Sequence, residues 1–178
     1  LPAISIGMEK SNRDLLKDKP RGKNESILNK DFLLGIGFEG LLIAIFTMVA
    51  FYIGNPKETP LTASTMAFAT LCLARLFHGF NCRGKGSIFK LGVFSNKYVW
   101  YAFGVGLVLL NAVLFVPFLQ NLFEVENLAF NQYVSIYVLA FIPTLIIQLK
   151  KVIFEFIENK KSKNNANINR SGELKDIA

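Results

Sequence analysis

Four long apolar runs in this chain carry only two charged residues between them, Glu39 and Arg75, and that pattern leaves few folds open to it. The runs cover residues 32–53, 62–81, 98–118 and 133–149. A helix of 22 residues rises about 33 Å, close to the roughly 30 Å of a bilayer's hydrocarbon core. Inside lipid every backbone polar group needs an internal partner, so runs of this length read as helices. The expected fold is therefore an all-α membrane protein with four transmembrane helices. Residues 1–30 read as the end of a preceding helix and a loop, 31–157 as the four-helix transmembrane domain and 158–178 as a disordered tail.

Composition agrees: 52% of the 178 residues are apolar, 17 of them Phe, and only 19% are charged. A net charge of +7 would suit nucleic acid. Here, though, the basic residues border apolar runs instead of lining one face, so the expected partner is the lipid bilayer and not nucleic acid. Cys72 and Cys82, if both helical, stand about 15 Å apart, beyond the reach of a disulfide. They read as helix-packing residues. One His, no Cys-x-x-Cys pair, no Gly-rich phosphate loop and no nucleophile elbow leave no metal, cofactor or catalytic residues to assign.

Orientation follows from Lys and Arg. Seven lie in the leading segment, four in the loop 82–97 and seven from Lys150 onward, whereas the other two loops hold one and none. Eighteen against one places both termini in the cytoplasm.

The second run, TASTMAFATLCLARLFHGFN, holds Arg75 well inside it. A cation at the centre of a spanning helix costs ~2.5–3.5 kcal/mol on insertion scales, and such residues face a bundle interior or an ion path. At helical spacing Ser64, Thr65, Leu71, Cys72, Arg75, His78, Gly79 and Cys82 share one side, and Met66, Leu73, Phe77 and Phe80 the other. The polar stripe is expected to face protein. Glu39 lies at a similar depth on the first run, so it can pair with Arg75. His78 follows Arg75 by one turn and reads as packing and hydrogen bonding at the helix end. Arg75 is the first candidate for an ion path, with Glu39 and His78 behind it. The plainer reading of Arg75 is a structural arginine whose stem snorkels toward the interface. Gly35, Gly37 and Gly40 read as a helix-packing face, Asn111 as a bond across helices and Pro143 as a kink.

These residues resemble a known family. Leu1-Pro2-Ala3 and the apolar run after it are similar to the end of the sixth helix of calcium-type P-type ATPases. DLLKDKPR, residues 14–21, resembles the loop that follows. ASTMAF at 63–68 and LFHGFN at 76–81 resemble the eighth helix, the most specific part of the likeness. FVPF at 115–118 resembles the end of the ninth. The resemblance covers residues 1–157 and implies helices seven to ten of a ten-helix pump.

It implies further that the phosphorylated Asp, the nucleotide domain and the actuator domain lie upstream. ATP, Mg2+ and Ca2+ then belong to the intact pump, and the chain alone is expected to be inactive. Its expected partners are the missing N-terminal helices and cytoplasmic domains of the same pump, and a divalent cation. The expected location is the plasma membrane. A start at Leu1 and the lack of a signal-peptide pattern are expected of a piece of a longer chain.

One departure stands out. In the two-site pumps of the family the eighth helix gives a Glu to an ion site, and an ungapped match puts Arg75 there. A guanidinium only donates hydrogen bonds and stays charged, so it cannot ligate a cation. The resemblance then implies a pump that moves one ion per cycle. The alternative is a freestanding four-helix membrane protein, a transporter subunit or scaffold, in which Arg75 is structural.

Overall fold

The computed structural model describes residues 2–8, 30–84, 86, 88 and 92–175. Most of the leading basic segment, and part of the 82–97 loop, lie outside the described residues. Six helices follow in order: α1 Pro2–Gly7, α2 Lys30–Ile53, α3 Pro60–Asn81, α4 Lys97–Phe115, α5 Pro117–Phe123 and α6 Phe130–Lys175. Among the described residues every regular element is helical. Four stretches are long and apolar enough to cross a membrane: Phe32–Ile53, Pro60–Asn81, Lys97–Phe115 and Phe130–Ile157.

The bundle is built around α3, which packs on α2, α4 and α6. Its buried side is made of small and compact residues, Ala63, Met66, Ala69, Thr70, Leu73, Ala74 and Gly79. Small residues let helices approach closely, which is the main source of attraction between helices in lipid. Met66, Leu73 and Ala74 meet Leu110 and Leu114 of α4, Ile136 and Ala140 of α6, and Ile43 of α2. Aromatic rings fill the space between α3, α4 and α6. Phe77 packs edge-on to Phe141 at 5.3 Å, and Phe80 meets Trp100 at 5.0 Å and Phe103 at 5.3 Å.

Turn chemistry fixes the connections. At Gly54 a Cβ would stand 2.4 Å from the Ala63 Cα, so only glycine lets the α2–α3 turn lie against α3. Asn55 follows in the left-handed region, which asparagine tolerates. Asn96 caps α4 by accepting from the Tyr98 and Val99 amides, and its Nδ2 donates to the Ser5 carbonyl 3.0 Å away. That bond ties α1 to the start of α4. At the other end Thr62 Oγ1 donates to Glu126 Oε2 at 2.6 Å, and the Glu126 amide donates to Thr65 Oγ1 at 3.0 Å.

The structure departs from the sequence reading at several points. The third span stops at Phe115, not residue 118, because the residue before a proline is driven out of the helical region. Val116 is extended, and Pro117 opens α5 at its first position, where its missing N–H costs nothing. Gln120 Nε2 then donates to the freed Leu114 carbonyl at 2.6 Å. The fourth span begins at Phe130, and Pro143, read as a kink, lies buried inside its helix. The helix extends to Lys175. From the end of the span to Lys175 there is no proline, so no residue removes a backbone donor from the hydrogen-bond ladder.

Candidate functional site

The polar stripe of α3 divides: Thr65 and Gly79 are buried in the bundle, Cys72 and His78 are half-buried, and Ser64, Leu71, Arg75 and Cys82 are exposed. Met66 and Leu73 are fully buried. Ala63, Ala69, Ala74 and Gly79 are among the buried residues of the helix.

Outward of the stripe lie two cavities. One of about 770 Å³ lies between α1, α3 and α4, walled by Ile6, Phe68, Leu76, Leu109 and Val113. The other, of about 840 Å³, lies between α2 and α3, walled by Phe32, Ile36, Ile43 and Ala44, and ends at Asn81, Gly84 and Lys151. Leu71, Arg75, His78 and Cys82 border both. Arg75 therefore stands on a ridge between two hollows, the α2–α3 one also holding Glu39, Asn81 and Lys151. Among the described residues it has neither a hydrogen bond nor an ion pair.

Glu39 also lines the α2–α3 cavity, but its partner is His78, with Oε2 3.4 Å from Nε2. The sequence allowed a Glu39–Arg75 pair; the structure joins Glu39 to the histidine one turn further on. His78 Nδ1 is buried and has no partner among the described residues. Both cysteines are free, as their spacing indicated. At the end of α3, desolvation and then the Glu39 carboxylate push the Cys82 thiol up, with Lys151 opposing. Asn111 bonds across helices as read: its Nδ2 lies 3.1 Å from Tyr137 Oη on α6. Gly35, Gly37 and Gly40 pack against nothing here, since a Cβ on any of them would meet no atom within 4 Å. No three His, Cys, Asp or Glu side chains converge as a metal site among the described residues.

Beyond the end of α3 lies a cluster that sequence reasoning missed. Gln148 Nε2 on α6 donates to Asn81 Oδ1, and Asn81 Nδ2 reaches the Thr144 carbonyl at 3.5 Å. Lys151 Nζ donates to the carbonyls of Asn81 at 2.5 Å and Gly84 at 2.8 Å. Cations at a helix C-terminus satisfy its free carbonyls and its dipole. A signal was available: Gln148 and Lys151 are three apart, so they share the face of α6 that also carries Thr144.

Residues 1–153 match the family model described as cation transporting ATPase, C-terminus. The chain belongs to that family.

Among curated relatives, the calcium-transporting ATPase 1 of Bacillus cereus is 31% identical over 85% of this chain and 19% of its own length. The calcium-transporting ATPase of Bacillus subtilis is 33% identical over 83% of this chain and 17% of its own. The rat calcium-transporting ATPase type 2C member 2 is 32% identical over 90% and 17%. The chain thus spans less than a fifth of the length of these cation-transporting ATPases. Its four membrane-length helices are those of an integral, multi-pass member of the family.

Proposed function

We propose that these residues are the C-terminal membrane part of an ATP-driven pump for a divalent cation, and that the cation is calcium. The α3 ridge would line the ion path, with Arg75 filling the place of one cation ligand so that one ion moves per cycle. The observation that carries this reading is the exposed guanidinium, without a hydrogen bond or ion pair among the described residues, between two cavities. An arginine kept for structure would be bonded to carbonyls or an acid, as Arg83 is to the Gly92 carbonyl at 3.0 Å. A charge left without such partners inside a membrane protein marks an ion path.

The physics is simple. At an effective dielectric of 20, a unit charge 4 Å from a divalent ion is repelled by about 8 kcal/mol. No cation would bind beside Arg75. Instead the guanidinium would balance acids of the ion path when they are empty. Those acids would come from helices of the pump outside this chain, which would pack over the two cavities. Glu39, already paired with His78, is the weaker candidate partner. The site that binds ATP and Mg2+, and the phosphorylated Asp, would likewise lie in the remainder of the pump. The chain alone would hydrolyse no ATP. Both termini would face the cytoplasm, and the pump would sit in the plasma membrane.

The test is transport stoichiometry in sealed vesicles holding the full-length pump. One calcium ion per ATP is expected, and two would overturn the assignment of Arg75. Arg75→Ala should change calcium affinity and the pH profile of transport. If it changes neither, nor stability, Arg75 is not part of the ion path.

A further inference from the structure

Arg75 borders its cavities only while α3 is turned correctly about its axis. Met66 and Leu73 sit in the core, but near Arg75 the buried side is small, Ala74 and Gly79, and offers few ridges to fix the turn there. Hydrogen bonds, by contrast, are directional. The far end of α3 is tied through Thr62 and Thr65 to Glu126, and at the end nearer Arg75 the directional contacts run to α6. Asn81 is 2% exposed and Gln148 9%, and their amides meet. Gln148 Oε1 also accepts from the Ile88 amide at 3.2 Å, so one side chain holds both the helix end and the segment after it. Lys151 closes the same end through the Asn81 and Gly84 carbonyls.

We infer that Asn81, Gln148 and Lys151 are positioning residues: they fix the rotation of α3 and thereby aim Arg75 along the ridge. A slip of one residue would rotate Arg75 by about 100° around the helix. The same slip would leave two buried amides unpaired in an apolar setting, which is strongly unfavourable. Buried polar pairs set register between helices in coiled coils by this logic. Arg75 lies six residues before Asn81, a rise of about 9 Å, close enough for the lock to govern its direction.

The inference rests on the ion-path reading of Arg75, and the test separates the two. In the full-length pump, apparent calcium affinity and its pH profile are measured for four forms: unmodified, Arg75→Ala, Gln148→Leu and the double variant. Gln148→Leu should weaken apparent affinity about fivefold in the Arg75 form and have almost no effect in the Arg75→Ala form. Lys151→Met should behave like Gln148→Leu, and Lys151→Arg, which keeps the donors, should restore the pH profile. If the two single effects multiply in the double variant, the residues serve structure only and the inference fails while the role of Arg75 stands. A silent Arg75→Ala sinks both. Should Gln148→Leu fail to accumulate, the Lys151 pair decides: loss in Lys151→Met without rescue by Lys151→Arg counts against positioning.

Discussion

At the scale of single residues, the membrane makes each polar contact in the bundle informative. Asn111 and Tyr137 exchange bonds of 3.1 and 3.2 Å between α4 and α6. Asn111 Nδ2 also donates to the Leu107 carbonyl at 2.8 Å, so it keeps a partner within its own helix. Interhelical bonds in membrane proteins are worth about 0.6 kcal/mol on average and up to ~2 kcal/mol. Tyr137→Phe, which keeps the ring, should therefore destabilise the bundle by about 1 kcal/mol, and Asn111→Leu should add little to it. Thermal unfolding of the detergent-solubilised pump measures both. Fully additive losses would mean that the pair does not interact. Asn111 was legible in the sequence as a cross-helix donor because one amide in an uncharged span has few other uses. Its partner was not, since Tyr137 is one of five tyrosines and only the fold brings it opposite.

At the scale of elements, length and hydropathy found all four spans, and proline chemistry decided where the readings of their ends went astray. Pro117 was seen near the end of the third span, but whether it lay inside or beyond the helix depended on Val116 turning extended. The stripe of α3 was legible only in part. Periodicity separates two sides of a helix but does not say which residues of a side this chain covers: Thr65 and Gly79 are buried, and Arg75 is exposed. Glycines show the same limit. Gly54 and Gly37 look alike in the sequence, yet a Cβ at Gly54 would collide with Ala63 backbone and one at Gly37 would meet nothing. Gly54→Ala should cost about 1–3 kcal/mol through forced separation of α2 and α3. Gly37→Ala, judged on this chain's own contacts, should be neutral or stabilise α2 by up to about 1 kcal/mol. Denaturation of the two variants side by side checks the contrast. Equal losses at both positions would show that the Gly37 face is covered as tightly as the Gly54 turn.

At the scale of the whole molecule, the fold sorts charge by end. α2 begins at Lys30, α3 ends beside Arg83, α4 begins at Lys97 and α6 passes Lys151, and the contact of Lys151 with Asn81 and Gly84 gathers these ends together. The other end carries the 54–59 turn and the loop that binds α3 through Glu126, with Lys57 its one basic residue. The sequence showed this asymmetry as a count over loops; the structure adds that, among the described residues, Lys151 of α6 meets the end of α3 next to Arg83. Lysine and arginine remain on the cytoplasmic side during insertion, so that end should be inside. In a full-length pump whose native cysteines are replaced by serine, Glu58→Cys and Asn121→Cys should react with an impermeant maleimide added to intact cells. Ser171→Cys should react only after the membrane is opened. α6 makes the last comparison sensitive, because it runs unbroken from Phe130 to Lys175 with no second apolar stretch that could recross the bilayer. Labelling of Ser171→Cys from outside would reverse the orientation of every helix and place the Lys151 cluster on the outer face.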